Sequence, residues 1–141
     1  MSETIHATCV AIGGRGILIR GRSGSGKSDL ALRLIDRGAR LVSDDYTILS
    51  ASGGRLRAAP PATIAGKLEV RGIGIVALDA ERDVPICLVA DLDNIPERLP
   101  EPAKDVRLLE TIVPTIALAA LEASAPLKLE QALLRFGLPL P

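Results

Sequence analysis

The chain has 141 residues, with 17 Lys and Arg against 17 Asp and Glu, 48% hydrophobic and 24% charged content, one Tyr, one Phe and no Trp. That length supports one globular domain over residues 1–141 with a sizeable aliphatic core. Cancelling charge and the scarcity of aromatic stacking platforms argue against a nucleic-acid partner, and no apolar run approaches the roughly 18 residues of a membrane span. No secretory leader precedes the first strand, so the sequence points to the cytoplasm and to no membrane partner. Cys9 and Cys87 stand far apart in apolar runs, without a CxxC and with a single histidine in the chain. Zinc therefore has no ligand set, and the expectation is two buried, reduced thiols.

In chain order, "HATCVAI" (His6 to Ile12) and "ILIR" (Ile17 to Arg20) read as two strands joined by a glycine turn at Gly13 and Gly14. The second strand runs into "GRSGSGKSDL". From Ser28 to Arg37 the apolar positions Leu30, Ala31, Leu34 and Ile35 recur at helical spacing, and Gly38 occupies the place of a left-handed helix stop. "ARLVSDDYTIL" gives a short strand ending in Asp44 and Asp45, then another strand, with a turn at Ser52 to Gly54 allowing a hairpin into "RLRAA". After Pro60 and Pro61, "KLEVRGIGIV" (Lys67 to Val76) reads as a bent strand or strand and loop. "VPICLVADL" (Val84 to Leu92) reads as a central strand. Three prolines between Asp91 and Lys104 mark an exposed loop, and "VRLLETIVPTIAL" a further strand pair. Ser124 as N-cap, Pro126 at the first helical position and Gly137 as terminator bound a last helix.

Gly21, Gly26, Lys27 and Ser28 fit G-x4-G-K-[ST], with a strand before and a helix after. In such a loop, here Gly21, Arg22, Ser23, Gly24, Ser25, Gly26, Lys27 and Ser28, inward backbone N–H groups wrap a phosphate. The lysine offsets β/γ charge and the serine hydroxyl serves magnesium. ATP and Mg2+ are the expected ligands. The glycines at 24 and 26 keep side chains out of the way of the phosphate. The Asp44–Asp45 pair is open to two readings. Adjacent carboxylates are commonly solvated loop charges, but at the carboxyl end of a strand one of them can reach a magnesium through water while its neighbour takes a proton from an attacking hydroxyl. No N-K-x-D string marks a guanine site.

Taken together, "SGSGKSDLALRLIDRG", "RLVSDDY" and "LEVRGIGIV", in this order, resemble the catalytic domain of HPr kinase/phosphorylase over about His6 to Leu99. The string from Glu69 to Ile75 is the family's signature. The resemblance implies a short form holding only the C-terminal catalytic domain. Its fold would be a strand-rich α/β P-loop kinase domain akin to phosphoenolpyruvate carboxykinase, with a P-loop helix and a C-terminal helix, assembled as a hexamer. It implies ATP-dependent phosphorylation of a serine on the phosphocarrier HPr, and the departure noted below points to a weak reverse reaction. By position it assigns Lys27 to the phosphates, Asp45 to the catalytic base, and His6 and Arg98 to the active site, with Ser28, Asp44 and Glu69 serving magnesium. The family's basic element near the C-terminus, needed for dephosphorylation, is replaced here by "EASAPLKLEQ", where Lys128 is the sole positive charge. A small-metabolite kinase and a non-enzymatic nucleotide sensor are the alternatives on the same loop.

Overall fold

The computed structural model describes residues 2–141. The elements are β1 (Ser2–Ile12), β2 (Arg15–Arg20), α1 (Lys27–Asp36), β3 (Arg40–Ser43), β4 (Tyr46–Ser52), β5 (Arg55–Ala59), a 3-10 turn (Ala62–Ile64), β6 (Lys67–Val70), β7 (Gly74–Ala77), β8 (Val84–Asp91), β9 (Lys104–Leu108), β10 (Thr111–Ala117) and α2 (Ala125–Phe136). The fold is mixed and rich in strands, as expected. No helix among the described residues is long and apolar enough to cross a membrane.

β1 works in two halves. Ser2 to His6 pairs antiparallel with β4, while Ala7 to Ile12 pairs with β2 on one side and Val10 and Ala11 meet β3 on the other. The main sheet runs β2, β1, β4, β5, β8, β10, β9, and because β8 also pairs with β2 the strands β1, β4, β5, β8 and β2 close into a ring. Within this sheet β2, β8 and β10 are mutually parallel neighbours, in the order β2, β8, β10. Their carboxyl ends are level, since Arg20 and Ala117 both lie opposite Asp91.

Two aliphatic clusters fill the faces of this sheet. Ile17, Ile19, Leu30, Leu34, Leu88 and Leu129 bind both helices to one face, while Leu18, Leu49, Leu56, Ile86 and Val89 pack on the other. Strict alternation breaks in β8. Gly16 lies opposite Ile86 but Ile17 lies opposite Leu88, so Cys87 is an extra residue and both it and Leu88 turn toward the helices. Both thiols are free and buried, and burial pushes the Cys9 thiol far up, which keeps it protonated.

Helix α1 buries Leu30, Ala31 and Leu34, and Gly38 at φ +110° closes it in the left-handed conformation the sequence predicts. Three expectations need correction. Lys67 to Val76 is a hairpin, β6 paired with β7, because the left-handed Gly72 (φ +85°) and Gly74 (φ +128°) reverse the chain between Val70 and Gly74. The side chain of Ser124 makes no capping bond, and Pro126 is the second residue of α2, after Ala125. Gly137 does end α2, as expected, in an extended conformation (φ −66°); glycine is needed there because a Cβ would lie 2.9 Å from Arg15 Nη2 and 2.5 Å from the Leu133 carbonyl oxygen.

Gly16 shows how tightly β2 seats on β8: a Cβ there would stand 2.7 Å from the Pro85 carbonyl oxygen and 2.9 Å from Val84 Cγ2. Backbone cannot move aside as a side-chain tip can. Gly16→Ala should therefore lower stability by about 1–3 kcal/mol, measured by urea denaturation; a stability equal to that of the parent would show that the two strands tolerate separation.

Candidate active site

The parallel arrangement delivers three loops to one end of the sheet, and the loop after β2 leads straight into α1. Gly24 (φ +82°) and Gly26 (φ +99°) both adopt left-handed backbone that a side chain would strain, so these glycines are required by conformation. A Cβ on Gly21 would run into Ser25 Oγ and Leu92. Lys27 is buried, 6% exposed, and its Nζ donates back to the Gly21 carbonyl at 2.8 Å and the Arg22 carbonyl at 3.1 Å. Ser25 Oγ is buried in the same loop and has no hydrogen-bond partner among the described residues. At the loop's rim Asp93 accepts from the Arg22 N–H at 3.1 Å.

Asp44 is the hub. Its carboxylate, at a residue 7% exposed, accepts from Ser28 Oγ at 2.6 Å and Thr8 Oγ1 at 3.3 Å on Oδ1, and from the Glu69 N–H at 3.2 Å on Oδ2. Asp45 turns away at φ +68°, in left-handed backbone, with a side chain 55% exposed. His6 Nε2–H donates to Asp45 Oδ1 at 2.7 Å, and the imidazole lies against the Tyr46 ring with centroids 5.3 Å apart. The adjacency of Asp44 and Asp45 thus becomes two environments, one enclosed and one open.

Of the residues singled out in the sequence, Lys27, Ser28, Asp44, Asp45 and His6 are brought together. Glu69 is brought near through its backbone, while its residue is exposed near the turn of the β6–β7 hairpin. Arg98 is not: it is exposed in the loop between β8 and β9, and no hydrogen bond or ion pair holds it among the described residues. No group of three or more His, Cys, Asp or Glu forms a cage for a metal ion among those residues. Thr8 escapes sequence reasoning. In "HATCVAI" a threonine reads as a β-branched strand former, yet its fully buried hydroxyl donates to Asp44 and accepts the Asp45 N–H at 3.1 Å. The only available signal was one polar residue inside an apolar run.

Because Thr8 holds the Asp45 backbone, Thr8→Val should speed hydrogen exchange of the Asp45 amide by about tenfold, the scale of one lost hydrogen bond, while Thr8→Ser leaves it within about twofold. Equal exchange in the valine variant would show that other contacts fix this turn.

Comparison with known proteins agrees with this arrangement. Residues 1–82 match the family described as HPr Serine kinase C-terminal domain. An HPr kinase/phosphorylase of Clostridium botulinum is 50% identical over 72 residues, covering 51% of this chain and 24% of that protein. One from Levilactobacillus brevis is 34% identical over 129 residues, covering 82% and 42%. This chain therefore spans less than half the length of these relatives. The structure of the Hpr(Ser) kinase/phosphatase from Coxiella burnetii superposes with a TM-score of 0.78 at 30% identity, covering 92% of each chain. The family match takes in β1 through β7, and so every residue of the Asp44 cluster. The chain belongs to the HPr serine kinase C-terminal domain family.

Proposed function

We propose that this chain is an ATP-dependent kinase that phosphorylates a serine of HPr, using residues 21–28 as a phosphate-binding loop of the P-loop kind. The observation that carries the reading is the Ser28 hydroxyl 2.6 Å from a buried carboxylate at the carboxyl end of a strand, with a second, open carboxylate on the next residue. Phosphate fits the loop: Ser25 Oγ is an orphaned buried donor, and the Lys27 ammonium rests on two backbone carbonyls that an anion would outcompete. Mg2+ fits the hard oxygen set of Ser28 and Asp44, with Glu69 a further ligand at the rim. When bound, it would neutralise charge on the phosphate oxygens.

This chain's own residues then divide the work. Lys27 offsets charge on the transferring group. Asp45 accepts the proton of the attacking serine hydroxyl, and His6 orients its carboxylate through the 2.7 Å hydrogen bond. Arg98 joins only through movement of its loop. A protein acceptor suits the site because Asp45 lies at an open rim beside exposed Tyr46 (49%), with Ile73 (78%) and Ile75 (70%) on the hairpin that carries Glu69. The kinase direction should dominate. In the segment that stands where the family has a basic element, Lys128 is paired with Glu122 at 2.8 Å, and Glu130 is engaged by Arg37. Among the described residues no spare cation is left in that segment to hold inorganic phosphate beside phosphoserine. Self-association into a hexamer is part of the same reading, and Leu127, Leu134 and Leu140 supply exposed apolar surface near the C-terminus.

Incubation with labelled ATP, magnesium and HPr should yield phosphoserine. Lys27→Ala should abolish it with the fold intact, and Asp45→Asn should cut it by about 10²-fold with ATP binding little changed. Transfer to a small hydroxyl compound without HPr, or ATP binding without turnover, would instead favour a metabolite kinase or a nucleotide sensor. Run in reverse with phosphorylated HPr and phosphate, the assay should release pyrophosphate far more slowly than the forward reaction; comparable rates would contradict the weak-reverse assignment. Sedimentation at micromolar concentration should give an assembly, and a monomer throughout would remove that part of the reading.

A further inference from the structure

β3 and β4 lie end to end along one edge of β1, both antiparallel to it, and the line they make is broken at Asp44 and Asp45. His6 pairs with Tyr46 and Cys9 with Ser43, a register that would set Ala7 opposite Asp45 and Thr8 opposite Asp44, yet neither pair forms. Instead the Tyr46 N–H donates to the Asp44 carbonyl at 2.7 Å, closing a three-residue turn with Asp45 at its centre and at φ +68°. Such a turn with positive φ at its centre is rare and strained. The other non-glycine residues with positive φ among the described residues, Leu109 and Glu110, form the two-residue loop between β9 and β10, where a hairpin demands that conformation. No hairpin accounts for Asp45, because β3 and β4 do not pair with each other.

Strained backbone persists only where its surroundings hold it, and here two fully buried threonines bond across the broken ladder. Thr47 Oγ1 donates to the Ala7 carbonyl at 2.8 Å, while Thr8 Oγ1 accepts the Asp45 N–H at 3.1 Å and donates to Asp44 Oδ1 at 3.3 Å. The 2.7 Å contact between Asp45 and His6 lies at an open rim and contributes too little to hold the turn alone. Restraint must come from the buried side.

We infer that Thr8 is a positioning residue for phosphoryl transfer: its hydroxyl holds the turn in the conformation that encloses the Asp44 carboxylate and presents the Asp45 carboxylate to the acceptor serine. The inference rests on the proposed role of Asp45 as proton acceptor. Thr8 touches both members of the carboxylate pair, one through its side chain and one through its backbone, so a single hydroxyl sets their relative orientation. Thr47 supports the same stretch of β1 without a hydrogen bond to either carboxylate residue, which makes it the natural control.

Kinetics of ATP-dependent transfer to HPr, measured on variants of the full chain, test this. Thr8→Val keeps the shape and removes the hydroxyl, so kcat should fall about tenfold, the scale of one lost hydrogen bond, with KM for ATP within about twofold. Thr8→Ala carries the same expectation, so a valine variant that fails to fold leaves the test standing. Thr8→Ser keeps the hydroxyl and should hold kcat within about twofold of the parent, while Thr47→Val should change it by less than about threefold. In an Asp45→Asn background, removing the Thr8 hydroxyl should cost less than about twofold more, because its effect runs through that carboxylate. Without any nucleotide, the ring resonances of His6, the one histidine in the chain, should shift in Thr8→Val and stay in place in Thr8→Ser. Unchanged kcat in the variants lacking the hydroxyl, an equal fall in Thr47→Val, or full additivity with Asp45→Asn would each overturn the inference. A parent chain that transfers nothing to HPr would instead remove the proposed function, and this inference with it.

Discussion

The carboxylate of Asp44 ties the site together. Donors from three separate stretches of chain meet on it: a hydroxyl from β1, a hydroxyl from the first turn of α1 and a backbone N–H from β6. A nearly buried carboxylate is costly unless several donors satisfy it, so the position of each of these elements is bound to the others. Thr8 extends the tie by one residue, since the same hydroxyl that serves Asp44 also holds the backbone of Asp45. That second contact helps keep Asp45 in left-handed backbone, turned outward toward His6. Two neighbouring carboxylates thereby acquire opposite surroundings, a precondition for giving them different chemical roles.

The sheet supplies the rest of the geometry. A ring closed through β2 and β8 fixes the strand that leads into the glycine-rich loop on both edges, by β1 on one side and β8 on the other. Close approach at Gly16 and the bulge at Cys87 adjust that seating locally. The loop that follows carries two left-handed glycines, and its buried lysine donates to carbonyls of its own loop. The same scaffold is shared with the Hpr(Ser) kinase/phosphatase of Coxiella burnetii, at a TM-score of 0.78.

Much of this was legible in the sequence, for physical reasons that differ by element. Helix α1 announces itself through Leu30, Ala31 and Leu34 and stops at a glycine that does adopt positive φ. β8 is readable because a strand buried on both faces is a continuous apolar run. The first residues of β1 were not readable: "SETI" is mostly polar and exposed, and forms a strand only because β4 lies beside it. The hairpin of β6 and β7 reads in the sequence as a bent strand or a strand and loop, since two nearby glycines signal a bend and a reversal equally well. At the site, spacing found the loop and the carboxylate pair, and resemblance added His6. Thr8 was missed because its importance lies in a contact 36 residues away, and Arg98 was included because a resemblance carries no information on where an exposed loop rests.

The central claim is that the arrangement around Lys27, Ser28 and Asp44 receives the phosphates of a nucleotide. A crystal structure of the chain with magnesium and a non-hydrolysable ATP analogue tests it most directly. The account predicts that Lys27 Nζ leaves the Gly21 and Arg22 carbonyls for the phosphate oxygens, with the metal beside Ser28 and Asp44. A bound analogue that leaves Lys27 on those two carbonyls, with no metal at Ser28, would contradict it.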